Sequence, residues 1–254
     1  MAGRLIRCVL AGSFWWISGA AASDAVPLDG DDFAHGLEQV ERLLADRPVL
    51  NDILVDGDPL RTWAAARFAG SGSRARIFWD PTPPPEGIDA QSRFEPEPVV
   101  RVHPVFQDGP HAGRGKPASD LWADLVFELH NMAQMDRVGE AWLRVVKGEL
   151  GYAGWLQAVT AAEHRALLFT QAFHRTRWRP WMRQRGLPAS SYRWRQINAV
   201  PVQYENWIAS YDDPGGYPWE DYSVAYREVL AELRPAGEDW SINPFALHDL
   251  KPSR

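Results

Sequence analysis

The chain has 254 residues, 45% of them hydrophobic and 24% charged, with a net charge of −6. That composition excludes an intrinsically disordered chain and suffices for one sizeable core. The single cysteine, Cys8, excludes an internal disulfide framework and any multi-thiolate metal site.

Residues 1–22 have the three parts of a secretory signal peptide. Arg4 and Arg7 form a basic start, Cys8 to Ala20 is apolar and uncharged, and Ala20-Ala21-Ala22 offers small residues for cleavage, with Ser23 as an alternative last residue. The apolar run of about 13 residues is short of the ~20 that a spanning helix needs. An uncleaved anchor is the other reading. Cleavage removes two Arg and no acid, so the net charge goes from −6 to −8. An acidic mature chain without cysteine suits an oxidising compartment. The expectation is a periplasmic or secreted protein, residues 23–254 forming one domain, with no transmembrane span.

Apolar residues at helical spacing predict a helix over Asp32 to Ala45, capped by Asp31 or Asp32 and stopped by Pro48. Asn51 to Leu60 reads as a strand or turn. Leu60 to Phe68 reads as a short helix before the loop Gly70-Ser71-Gly72-Ser73. Arg76 to Trp79 is a strand candidate. Thr82 to Pro98, rich in proline and acid, reads as a loop. In Pro98 to Pro104, Val100 and Val102 alternate with Arg101 and His103, as in a second strand. Gln107 to Pro117 is a Gly- and Pro-rich loop.

The strongest helix follows, capped by Ser119 or Asp120, with Leu121, Trp122, Leu125, Val126, Leu129, Met132 and Ala133 on a wide apolar face. A weaker helix spans Val138 to Lys147, and a long one runs from about Ala153 to Phe173. Another covers Tyr222 to Leu233, stopped by Pro235. Tyr211 to Tyr217 reads as a turn. This order indicates an α+β fold, mostly helical, with a small sheet or hairpin packed on helices.

Asp124, Glu128 and Asn131 fall at i, i+4 and i+7 of the strongest helix, on one face. Carboxylates are rarely buried without a partner. The stripe is therefore either a solvated face or a site.

Here the chain resembles a family. Strand, loop, second strand, polar loop and a helix holding Phe127-Glu128-Leu129-His130-Asn131 resembles the small zincin-like metallopeptidases, whose helix carries H-E-L-x-H. The resemblance covers about residues 75–175 and implies a zincin-like fold. There two His bind zinc, the Glu is the general base, and a later helix often adds an acidic ligand. Glu128 keeps the general-base position, and Glu163 could match the later acid. Phe127 and Asn131 stand at the two His positions and cannot make a conventional zinc site. No cofactor is expected. The resemblance thus implies a pseudoenzyme with a binding or scaffolding role for a peptide or envelope ligand, through Asp124, Phe127, Glu128, Asn131 and Glu163. A hydrolase using Glu128 and Glu163 without the usual ligands is the alternative.

No pair among the seven histidines has the i, i+4 spacing of a helical metal site. There is no G-x-S-x-G and no Gly-rich phosphate loop. Glu128, Glu163 and Glu205 could in principle serve a glycosidase. From His164 to Tyr204 there is no acid, while eight Arg alternate with Trp178, Trp181 and Trp194. Arg with aromatics suits an anionic polymer, with Arg177, Trp178, Arg179 and Trp181 as candidates. In an exported protein nucleic acid is not the expected partner. The plainer reading is that Arg stems cover Trp faces and pair with the acidic remainder of the chain.

Overall fold

The computed structural model describes residues 9–10, 78–79, 87–93, 99–184, 186, 188–211 and 217–233. The helix predicted over Asp32 to Ala45, the strand or turn over Asn51 to Leu60 and the helix over Leu60 to Phe68 lie outside the described residues, as does most of the turn between Tyr211 and Tyr217.

The fold is α+β and mostly helical. Its sheet holds β1 (Val9–Leu10), β2 (Phe78–Trp79), β3 (Ala90–Arg93) and β4 (Val99–Val102) in the order β1-β3-β4-β2. β3 and β4 are antiparallel, with Ala90 opposite Val102 and Ser92 opposite Val100. β2 runs parallel to β4. β1 pairs antiparallel with β3, Val9 opposite Arg93. The sequence reading placed β3 in a loop. Its residues, AQSR, lack the branched and aromatic side chains that signal a strand, and cross-strand pairing supplies the order instead.

The helices are α1 (Ala118–Met132), α2 (Met135–Val146), α3 (Tyr152–Phe173), α4 (Arg179–Gln184), α5 (Tyr192–Ala199), α6 (Tyr204–Ile208) and α7 (Trp219–Leu233). A π-turn over His174–Trp178 joins α3 to α4. α1 packs against β3 and β4 on one side and against α3 and α5 on the other. Its residues from Asp120 to Met132 are all buried, so no side of α1 is solvated. This overturns the reading of Asp124, Glu128 and Asn131 as a solvated face. Pro117 rather than Ser119 or Asp120 caps the helix, and its lack of an N–H costs nothing there. Asp120 turns instead toward α5.

The core is aromatic. Trp142 lies 4.5 Å from Trp155, which lies 5.0 Å from Tyr226, tying α2, α3 and α7 together. Trp178 stacks on Trp122 at 5.6 Å and lies 5.7 Å from Trp194. Each such ring takes about 150–250 Å² out of water. Trp178 and Trp194 are thus core residues, and Trp178 is not available to a polymer at the surface.

Candidate functional site

The acids of α1 meet two kinds of partner. At its N-terminal half, Asp124 and Asp89, just before β3, enclose two cations. Lys116, 0% exposed, sits 2.8 Å from Asp89 and 2.7 Å from Asp124. Arg193 of α5 bonds Asp89 and lies 2.9 Å from Asp124 through Nε. Its backbone N–H donates to Asp120 Oδ1 at 2.8 Å. Burial alone would raise Asp89, but the charges of Arg193 and Lys116 outweigh it and hold its carboxyl below the ordinary value. Asp120 is pushed up to about 6 by burial, which the Ser191 side chain, the Arg193 backbone N–H and the more distant Arg193 charge only partly oppose. Two acids and two bases thus cancel inside the protein, joining the sheet, the loop before α1, α1 and α5.

Farther along α1 no cation is at hand. Glu128 is 0% exposed, and its Oε2 accepts a long hydrogen bond of 3.4 Å from Asn131 Nδ2. Its Oε1 and the Asn131 Oδ1 have no partner among the described residues. Burial pushes Glu128 up to about 8; the Ser92 and Asn131 side chains oppose this, and the charges of Glu163 and Asp124 add to it. Glu163 on α3, 5% exposed, accepts hydrogen bonds at Oε2 from Tyr217 and, at 2.6 Å, from Tyr222. Burial still raises it to about 7. Phe127 packs with Ala166, Leu167 and Trp207 in a small apolar cluster. His130 is held by Thr170 at 3.0 Å.

The five residues of the resembled site are therefore all buried, and three of them, Glu128, Asn131 and Glu163, are turned to protein groups rather than to an open cleft. Among the described residues no group of three or more His, Cys, Asp or Glu side chains could hold a metal ion. The acids of the charge quartet are taken by Lys116 and Arg193. Sequence reasoning missed Asp89, Lys116 and Arg193. One signal was legible: Asp120, Asp124 and Glu128 recur at i, i+4 and i+8 in an apolar helix, a row that requires cations from elsewhere.

The open concavity lies elsewhere. A cavity of about 810 Å³ is bounded by Arg175, Arg179, Arg183 and Arg195 together with Ser190 and Asn198. All four arginines are exposed, and no hydrogen bond or salt bridge joins their guanidinium groups to another described residue. His174 forms part of the wall. Asn198 Nδ2 donates to its Nδ1 at 2.9 Å, which leaves Nε2–H to donate to the Ala189 carbonyl at 3.0 Å. That pattern fits one neutral tautomer. Burial, helped by the charges of Arg179 and Arg175, lowers the His174 pKa. The imidazole, stacked on Trp194 at 4.6 Å, is thus a neutral brace under the arginines.

Of the polymer candidates named from sequence, Arg179 borders this cavity and Arg177 does not. Trp178 is core, and Trp181 is half-buried against it. Arg175, Arg183 and Arg195 were in the acid-free run but not singled out. Among the described residues no helix is long and apolar enough to cross a membrane. Comparison with known proteins finds no matching family model, no similar curated protein and no similar solved structure.

Proposed function

We propose that this is an exported, non-catalytic protein that binds an anionic ligand in the arginine-lined cavity. One observation carries the reading: four guanidinium groups without ion partners among the described residues surround a cavity of about 810 Å³ in a chain of net charge −6. Like charges gathered without counter-ions repel one another, and an anion relieves that repulsion. Arginine suits the task, since its planar fork binds carboxylate, sulfate or phosphate through two parallel hydrogen bonds. Export rests on the leader-like residues 1–22.

The scaffold is zincin-like in this proposal. Two short strands, a polar loop, the helix with Glu128-Leu129 and a following helix with Glu163 stand in the order that family uses. The metal chemistry is replaced: Asn131 bonds Glu128, Phe127 packs against α3 and α6, and two tyrosines hold Glu163. Hydrolysis by Glu128 and Glu163 has less support, because neither carboxyl borders the cavity.

Calorimetric titration of the purified protein with citrate tests the reading. Binding that weakens at least about tenfold in Arg179→Gln/Arg183→Gln, as loss of two charge-assisted contacts requires, supports it. Unchanged binding in that variant sinks it, as does binding of neither citrate nor an acidic oligosaccharide by the native chain.

A further inference from the structure

The arrangement of the arginines says more about the ligand than their number does. Arg175, Arg179 and Arg183 are spaced i, i+4 and i+8 along one continuous helical path, the π-turn followed by α4. In a regular α-helix each i→i+4 step overshoots a full turn by about 40°. The wider π-turn, with its i→i+5 bonds, counters that overshoot between Arg175 and Arg179. It also keeps Trp178 in the core while its neighbours face out. Counted along the helix axis at the α-helical rise of about 1.5 Å per residue, the backbone positions of the three arginines step by about 6 Å or slightly less through the π-turn, so the row is at most about 12 Å long. Arg195 on α5 borders the same cavity.

We propose, resting on the anion-binding reading above, that the cavity takes a linear acidic glycan, one charged sugar per arginine of the row. A pyranose linked through its 1 and 4 positions advances a chain by a length comparable to the arginine step, whereas linear polyphosphate carries its charges much closer together. Ser190 and Asn198 line the same cavity, offering a hydroxyl and an amide Oδ1 to sugar hydroxyls, and Ala189 and Ala199 offer small apolar wall for ring faces. Single-stranded nucleic acid fits less well. Proteins that bind it stack bases on accessible aromatic rings. Here Trp178 and Trp194 are buried, the His174 ring is covered by Trp194, and Trp181 is packed on the core.

The test is titration of the full chain with galacturonate as monomer, dimer, trimer and tetramer, alongside citrate and an oligothymidylate of the trimer's charge. Affinity is expected to rise at each step to the trimer, by about 50-fold in all, and then to level off as the row is filled. Arg179→Gln, an exposed substitution in the middle of the row, is expected to weaken the trimer about tenfold and the monomer less than about threefold. Arg177→Gln, outside the cavity, leaves both unchanged. Citrate binding with monomer and trimer equal overturns the linear register and leaves the anion reading standing. Binding of neither citrate nor glycan overturns both. Oligothymidylate binding as tightly as the trimer overturns the glycan class.

Discussion

Tyr222 donates a hydrogen bond of 2.6 Å to Glu163, joining α7 to α3 across a fully buried carboxyl. Glu163 is nonetheless raised to about 7 and Glu128 to about 8, because burial outweighs those bonds. In the unfolded chain both titrate near 4.5. Groups raised on folding stabilise fully below the unfolded value, and that stability is lost as pH climbs through the folded one. His103, His111 and His174, lowered by burial, act in the opposite sense but are neutral in both states well above 6.5. Thermal stability is therefore expected to fall between about pH 7.5 and about pH 9, by about 3 °C for a chain of this length. Glu128→Gln flattens the decline. Calorimetric melting across that range decides, and a melting point that rises with pH contradicts the assignment.

Arg193 is the hub of the buried charge quartet. Arg193→Met leaves Asp89 and Asp124 with Lys116 alone, one charge short. Stripping one partner from a buried ion group costs about 3–5 kcal/mol. Urea unfolding should show a loss of that order, and a loss below about 1 kcal/mol means the quartet does not fix α5 to the sheet.

The loss of both histidine ligand positions, at Phe127 and Asn131, leads to a test of metal dependence. Dialysis against a chelator is expected to leave the melting temperature unchanged, since a structural metal would contribute several kcal/mol. Stoichiometric zinc in the purified protein, lost on Glu128→Ala, would restore the metallopeptidase reading.

Gly109 sits at φ +70°, where a side chain is strained, and an added Cβ would stand 2.7 Å from the Tyr192 hydroxyl. Gly109→Ala is expected to cost about 1–3 kcal/mol from the left-handed backbone and the clash together. The urea midpoint measures it. A neutral result requires both the turn and Tyr192 to shift freely.

The helices with a clear apolar period, α1, α2, α3 and α7, were legible in the sequence to within a few residues, as was β4 with its alternating valines. β3 was not, because its order comes from pairing rather than from its own residues. Nor were α4 and α5, where RPWMRQ and YRWRQINA carry arginine in place of a hydrophobic stripe. The polar row of α1 was legible as an anomaly. Its explanation was not, because Asp89, Lys116 and Arg193 come from a strand edge, a loop and a distant helix, and only the closed fold brings them within 3 Å of Asp124 or of one another. The arginine cavity was half legible. The acid-free run was visible, but the π-turn that sorts its residues into outward Arg and inward Trp leaves no sequence period.

β1 belongs to the residues expected to form the leader, yet it pairs with β3 through Val9 and Leu10. Val9 and Leu10 thus occupy the outer hydrogen-bonding positions of β3, a short polar strand. If residues 1–22 are removed, as the proposed export requires, β3 loses this partner and keeps amides and carbonyls free on that side, a border to which extended chains adhere. Under the proposed export, removal of the leader would thus do more than free the chain: it would uncover one border of the sheet.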